Sequence, residues 1–579
     1  MKSPKWTRIP LPNPETVKQL SESININSIL ASILVQRGIA DFDSARAFFS
    51  PQLDELHNPF LMKDMDKAVE RLIGAVSNNE KILVYGDYDV DGTTAVSMLY
   101  SFLKSFYPHV DYYIPDRYTE GYGVSFRGVE YAADNDFKLI VSLDCGIKSV
   151  DKVQRATELG VDFIICDHHL PGNELPPALA VLDPKRPDCP YPFKELCGCG
   201  VGFKLIQAFC QHQGWPDENY LHYLDLVAIS IAADIVPVTG ENRTLSHFGI
   251  IQLNPRVKRP GIKALLEKAN VKRPLTITDL VFVIAPRINA AGRITSGREA
   301  VQLLIEHDHF SAAEISIKID QNNSFRKDLD KSITLEALEQ IESVQGYANA
   351  KTTVVYHESW HKGVVGIVAS RLTETYYRPT IVLTKSGDKL AGSARSVSGF
   401  DVYQAIEACS GHLEQFGGHK YAAGLTLSEN QLEAFRQAFE KTVANSISES
   451  LLTPEIEYDA ELDFAQITPK FISILNRMAP FGPENMQPVF YTENVQDAGW
   501  AKIVGENHLK CLLFDDKNPG LRIDAIGFKL GDRLPLLKSK KPFKILYCIE
   551  QNSWNDQIST QLVIKDIKPL EGNTVCELC

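Results

Sequence analysis

Between residues 81 and 169 four short apolar runs alternate with stretches long enough for helices. This alternation constrains the fold more than any other feature of the chain. KILVYGDYD (81–89), VDYYIPDR (110–117), KLIVSLDCG (138–146) and VDFIICDHH (161–169) each read as a buried strand. TTAVSMLYSFLKSFY and KSVDKVQRATELG supply crossover helices between them. Strands alternating with helices predict an α/β fold with a largely parallel sheet. Each run ends in polar residues of a useful kind. Asp87, Asp89 and Asp91 follow the first, Arg117 the second and Asp144 the third, while Asp167, His168 and His169 close the fourth. Ligands of parallel α/β sheets bind outside the carboxyl ends of the strands, so these side chains are aimed at one crevice.

The rest of the chain divides by pattern. At roughly 150 residues per domain, 579 residues predict about four domains. Residues 1–62 read as a helical N-terminal segment, with Gly38 and Pro51 as stops. The parallel-sheet catalytic domain is expected over 63–300, and a long charged connecting helix over 301–348. A second α/β domain is expected over 349–448, with strands TTVVYHES and TIVLTK and a closing helix QLEAFRQAFEKTVANS. Residues 449–579 carry short β-rich segments and predict a small barrel.

Composition excludes several classes. Hydrophobic residues make up 44% and charged residues 23%, which is neither a disordered nor a fibrous chain. No apolar run reaches the roughly 18 residues of a membrane span. The opening MKSPKWTRIPLPNPETVKQL has no signal-peptide core, so a soluble cytoplasmic protein is expected. A net charge of −13 argues against a protein that coats DNA through diffuse positive charge. It leaves room for an enzyme that holds phosphates in a local basic pocket. Eleven cysteines are scattered along the chain and read as buried thiols. Cys197/Cys199 and Cys576/Cys579 are close pairs without a second pair at zinc-site spacing.

Several carboxylates brought to one crevice repel each other strongly unless cations lie among them. Asp and His without Cys suit Mn²⁺ or Mg²⁺. A lone Asp-x-Asp after a strand is commonly a helix-capping turn, and Asp91-Gly92-Thr93 alone would read so. Adjacent histidines are commonly surface residues. The conjunction of three such strand-end clusters is what points to metal.

VYGDYDVDGTTA, VSLDCG, CDHH and AADIVP resemble the successive motifs of the DHH phosphoesterase superfamily. PDRYTEGYG (115–123), APRINAAGRI (285–294), WHKGVVGIVASRL (360–372), GSARS (392–396) and GGHKYAAGLTL (417–427) resemble its RecJ branch. Those are single-strand-specific 5′→3′ DNA exonucleases of repair and recombination. The resemblance covers nearly the whole chain. It implies a DHH domain, a DHH-associated domain and an OB-fold-like domain. It also implies two divalent ions, Mn²⁺ or Mg²⁺. Asp89 and Asp91 would bind one ion each, Asp144 would bridge both, and His168 and Asp234 would complete the second site. His169 would contact the scissile phosphate, with Asp87 supporting the cluster. Arg117, Arg293, Ser393 and Arg395 would form a 5′-phosphate pocket, with Gly418 and His419 near the nucleic acid. Gly417 and Gly424 belong to the same glycine-rich loop. Smaller relatives often carry a His where this chain has Tyr85, so Tyr85 is left out of the ligand set.

Two cations roughly 3.5–4 Å apart would activate water and neutralise charge on a phosphodiester, releasing 5′-mononucleotides. In the tail, Trp500, Lys502, Lys510, Lys538, Lys540, Lys541 and Lys544 are candidates for single-strand contact, although alternating lysines on a strand usually form a solvated face. The family suggests single-stranded DNA as partner, with a single-strand-binding protein, a RecQ-type helicase and a monomeric, bacterial cytoplasmic enzyme. Two other readings compete. A small-substrate phosphoesterase has no need of the N-terminal helices and β-rich tail. A non-enzymatic scaffold has no need of a full ligand set.

Overall fold

The computed structural model describes residues 3–254, 257–271, 274–343, 347–554 and 557–570. In it the four apolar runs form strands at Lys81–Gly86, Val110–Tyr113, Phe137–Leu143 and Asp162–Cys166, and a fifth strand follows at Ala180–Leu182. All pair in parallel, in the spatial order second, first, third, fourth, fifth. The first, third and fourth are buried along almost their whole length, as expected of a sheet covered on both faces. The winding direction reverses between the first and third strands. That switch point opens the crevice where this topology binds ligands. Helix Val90–Lys104 leaves the first strand and packs against helices Gly198–Gln213 and Leu224–Asp234. The last of these is buried on every side from Leu224 to Ala232, so its residues are fixed tightly in place.

A helix of 35 residues, His309–Ser343, spans about 52 Å at ~1.5 Å per residue. Its buried positions include Ala312, Ser316, Ile319 and Asn323, then Ile333, Ala337 and Ile341. That is one stripe at helical spacing on an otherwise charged rod. One part of it packs on helices Pro260–Lys268 and Ala285–Ile294, and another on helix Val365–Tyr376 and strand Thr353–Tyr356. The second sheet runs, in spatial order, Thr353–Tyr356, Thr380–Ser386, Lys389–Arg395, Ala422–Leu427, Gln415–His419. Its first pair is parallel and the others antiparallel. Phe435, Phe439 and Val443 of helix Leu432–Ser446 cover it. These elements, His57–Val236 and Gly240–Pro454, form the larger of two units.

The smaller unit is built from Trp6–Leu56, Pro237–Thr239 and the residues from Glu455 onward. Strands Phe490–Asp497, Phe543–Trp554, Gln557–Pro569, Ile523–Gly527 and His508–Asp515 pair in that order. The last returns to the first through Val495 and Asp515, closing a five-stranded barrel. Closure removes the exposed edges an open sheet would carry. The N-terminal helices belong to this unit, because Leu20, Leu30, Ile33 and Leu34 share one core with Phe471, Phe490, Phe543 and Tyr547. Each such side chain contributes about 1.5–3 kcal/mol by burial. Trp500 is 67% exposed, and Lys502 and Lys510 are cross-strand neighbours on the same barrel. Lys538, Lys540 and Lys541 are exposed, whereas the Lys544 ammonium lies 5.9 Å from the centre of the Trp6 ring. Cys576 and Cys579 lie outside the described residues. Among those described, no helix is long and apolar enough to cross a membrane.

Candidate active site

The strand ends converge. His168 Nε2 lies 3.1 Å from Asp144 Oδ1, 3.5 Å from Asp234 Oδ2 and 3.7 Å from Asp91 Oδ2. Asp91 and Asp144 are 1% and 2% exposed. Asp144 reaches the cluster from a left-handed backbone, φ 59°, a conformation costly for a residue with a Cβ and typical of functional sites. Asp234 is the last residue of its helix, which Ile235 ends in the left-handed region at φ 60°. The helix thus stops just where its carboxylate meets Asp91 and His168.

Asp91 is held by three donors. The backbone N–H groups of Gly198 and Cys199 each donate to one of its oxygens at 2.6 Å, and the Ser230 hydroxyl donates to Oδ1 at 2.6 Å. The first two belong to the N-terminal turn of helix Gly198–Gln213, the end that favours negative charge. Gly198 is required there, since a Cβ would lie 2.5 Å from the Asp144 Cβ. Asp89, not Asp91, caps the helix after the first strand, accepting from Gly92 N–H at 3.0 Å. Asp87 is fully buried and accepts from Gly123 N–H at 3.3 Å through Oδ1. Its Oδ2 has no partner.

Burial, then repulsion from Asp91, Asp89 and Asp234, pushes the Asp144 carboxyl well above the usual carboxylate range. Burial and neighbouring carboxylates raise Asp87, Asp89 and Asp234 in the same direction. Neither His168 nitrogen has a hydrogen bond of acceptable geometry. A buried imidazole without partners, ringed by crowded carboxylates and no thiolate, is the donor set of a hard divalent cation. The residues present therefore fit the ions that the motifs imply.

His169 lies close enough to Asp144 and His168 to share an ion with them, but both its ring nitrogens are engaged elsewhere. Its Nδ1 bonds Asp167 Oδ1 at 2.7 Å, and its Nε2 lies 3.2 Å from the Tyr122 hydroxyl. Asp167 also accepts from the backbone N–H groups of His168, His169 and Ile147. Its oxygens are consumed in orienting the turn and the ring. Burial works against the Asp167 charge, but the bond and charge of His169 outweigh it and hold the carboxyl low. Burial likewise disfavours a charged His169, and the Asp167 bond overcomes it, so its pKa is raised. Tyr85 points elsewhere. Its hydroxyl donates to Gly123 O and accepts from Ser125 N–H, both at 3.1 Å, and its ring stacks on Tyr113.

A second cluster is basic. Arg117 lies over the Tyr88 ring at 4.6 Å. Arg395 donates to Ser393 Oγ and Ala394 O at 2.8 Å. Arg293 donates to Gly363 O at 3.2 Å. Burial first, then the charges of Arg117, Arg395 and Arg326, lower the Arg293 pKa to about 10. No ion pair engages Arg117, Arg293 or Arg395 among the described residues. Helix Val365–Tyr376 begins beside them, with Gly366 facing Ser393 and Arg395. Guanidinium groups crowded at a helix N-terminus have the chemistry to hold an anion. His419 is close enough to feel the charges of Arg395 and His169. Gly418 adopts φ 150°, and a Cβ there would lie 2.4 Å from Ala422 O.

The fifth strand, Ala180–Leu182, brings in Asp183 and Lys185, which the motifs did not single out. Asp183 is fully buried and its Oδ1 accepts the Lys185 N–H at 2.7 Å. Burial pushes its carboxyl up to about 7. Ser230 is a further residue without a signature of its own. Outer partners of ligands typically change metal affinity 10–100-fold. Ser230→Ala is therefore expected to weaken Mn²⁺ binding on that scale in a calorimetric titration. An unchanged dissociation constant would show the two backbone donors to be sufficient.

A parallel sheet with carboxylates and paired histidines at its switch point, followed by a second sheet and a closed barrel, defines a DHH-type phosphoesterase architecture. Family models match in the same order: the DHH family N-terminal domain at residues 81–231, the DHHA1 domain at 349–445 and the RecJ OB domain at 458–566. The single-stranded-DNA-specific exonuclease RecJ of Bacillus subtilis is 38% identical over 97% of this chain and 70% of its own length. That of Escherichia coli is 35% identical over 88% of this chain and 91% of its own. The crystal structure of RecJ from Thermus thermophilus in complex with Mn²⁺ superposes with a TM-score of 0.84 at 27% identity. It covers 98% of this chain and 80% of that one. A second structure of that protein contains Mg²⁺. The chain belongs to the RecJ family.

Proposed function

We propose that this chain is a metal-dependent exonuclease that removes 5′-mononucleotides from single-stranded DNA in the 5′→3′ direction, in repair and recombination. The observation that carries the reading is the convergence of Asp91, Asp144 and Asp234 within 3.7 Å of His168 Nε2, with half-buried arginines nearby that make no ion pair among the described residues. Membership of a family whose relatives are single-stranded-DNA-specific exonucleases supports the substrate.

Asp89, Asp91, Asp144, His168 and Asp234 would hold two divalent ions, Mn²⁺ or Mg²⁺. When bound, such a pair supplies an activated water and neutralises charge on the phosphodiester. The chain's own groups do the rest. The Gly198 helix and Ser230 keep the Asp91 carboxylate in one orientation. Asp167 keeps a proton on His169 Nδ1, so a charged ring can donate from Nε2 to a non-bridging phosphate oxygen, displacing Tyr122. Asp87 supports the Gly123 turn that carries Tyr122. Arg117, Arg293, Ser393 and Arg395 would seat the terminal 5′-phosphate, fixing the direction of attack, with Gly418 and His419 closing over it. Trp500 and the barrel lysines would contribute single-strand binding from the smaller unit. Such an enzyme acts as a cytoplasmic monomer on strands that a RecQ-type helicase exposes and a single-strand-binding protein coats.

Turnover of a long 5′-phosphorylated oligonucleotide against a dinucleotide, both with Mn²⁺, tests the reading. The long strand is expected to be degraded far more efficiently. Preference for the dinucleotide would make the chain a small-substrate phosphoesterase.

A further inference from the structure

The sheet order sets the strand ends in a row. Arg117 follows the strand at one edge. Asp87 to Asp91, then Asp144, then His168 and His169 occupy the middle, and Lys185 follows the strand at the opposite edge. Four strand spacings of ~4.8 Å make this row roughly 19 Å long. Even a backbone stretched to about twice the stacked rise of ~3.4 Å per nucleotide fits more than two nucleotides in that span. If a 5′-phosphate sits by Arg117 and the scissile phosphate by His169, the strand continues toward the Lys185 edge.

That edge is shaped to receive it. A cavity of about 440 Å³ is lined by Leu170, Lys185, Arg186, Pro187, Lys194 and Glu195. The Lys185 side chain is 19% exposed and its ammonium pairs with Glu195 at 3.2 Å, and its charge acts on Asp234 and His168. Lys194 donates to the Cys189 carbonyl at 2.6 Å and makes no ion pair among the described residues. Arg186 is committed elsewhere, to Asp64 and Asp188. Leu170, directly after the two histidines, is 70% exposed and offers an apolar surface to a base. Two ammonium groups and an exposed leucine beside a phosphodiester centre match a nucleotide, its phosphate on the lysines and its base on Leu170.

We propose that this cavity binds the phosphate immediately 3′ of the scissile bond, with Lys185 as its principal contact and Glu195 as the carboxylate that the phosphate displaces. The proposal rests on the nuclease reading above.

The test uses the full-length chain with Mn²⁺ and 5′-phosphorylated single strands. One strand carries an uncharged methylphosphonate at the linkage just 3′ of the scissile bond, and the other is unmodified. For the wild type, the neutral linkage should lower first-cleavage kcat/KM by about 10-fold or more, the scale of a charge-assisted hydrogen bond. Lys185→Gln should lose a similar factor on the unmodified strand and no further factor on the modified one. Lys185→Arg should restore the discrimination, and Glu195→Gln should keep it. A Lys185→Gln protein that still discriminates as the wild type does overturns the subsite. So does a Glu195→Gln protein that behaves like Lys185→Gln, because the role would then be structural. A wild type that cleaves neither strand defeats the nuclease reading itself.

Discussion

Asp144→Ala is expected to lower Mn²⁺-dependent nucleotide release by about 10²–10⁴-fold, the several kcal/mol that charge stabilisation by bound cations supplies. The substitution should have the opposite effect on the metal-free protein. Asp144 is buried against Asp91, Asp89 and Asp234, and its ionised form is disfavoured there. Removing it relieves repulsion that nothing but a cation otherwise offsets. Without metal the variant should therefore melt at or above the wild-type temperature. With saturating Mn²⁺ the wild type should gain stability by ligand linkage and the variant should gain little. A variant that is less stable under both conditions, yet equally active, would make Asp144 a packing residue and remove the catalytic assignment.

Arg395→Ala should weaken cleavage of 5′-phosphorylated ends by about 1.5–3 kcal/mol, roughly 10–150-fold, and affect 5′-hydroxyl ends much less. Arg395 is already committed through one nitrogen to Ser393 and Ala394, so its fork is oriented before any substrate arrives. It also crowds Arg293, whose nearby cations outweigh the one carboxylate, Asp89, that acts on it. A terminal phosphate would relieve that crowding. Arg395→Lys should recover only part of the loss, because an ammonium lacks the planar pair of donors. Comparing kcat/KM on the two kinds of end, for both variants, measures this. Equal losses on phosphorylated and hydroxyl ends would move Arg395 out of the pocket and into the support of the second sheet.

The parallel sheet and its carboxylate-bearing edge were legible because one physical pattern marks both. Apolar runs stop where a buried strand ends, and Asp89, Asp144 and His168 stand at those stops. Asp234 was not legible from pattern alone. It lies within an apolar helix, and only the left-handed Ile235 shows why the chain ends its helix there. The strand Ala180–Leu182 is too short and too close to prolines to read as a strand, and Lys185 was missed with it. Ser230 is a single hydroxyl in ordinary surroundings, given meaning only by what faces it. The amphipathic N-terminal helices were visible, but not their covering surface. Leu30 and Leu34 share a core with Phe490 and Phe543, more than 450 positions later, and periodicity carries no information about so distant a partner. The two aspartates that share one motif show the same limit. Asp89 caps a helix, whereas Asp91, in the first turn of that same helix, accepts from the N-terminal turn of another, and spacing alone does not tell these apart.

The most direct measurement is an anomalous difference map from crystals grown with Mn²⁺. Two peaks are expected: one shared by Asp89 and Asp144, the other by Asp91, Asp144, His168 and Asp234, with His169 coordinating neither. A map with no manganese among these side chains, in crystals of protein that still degrades single strands, would contradict the account.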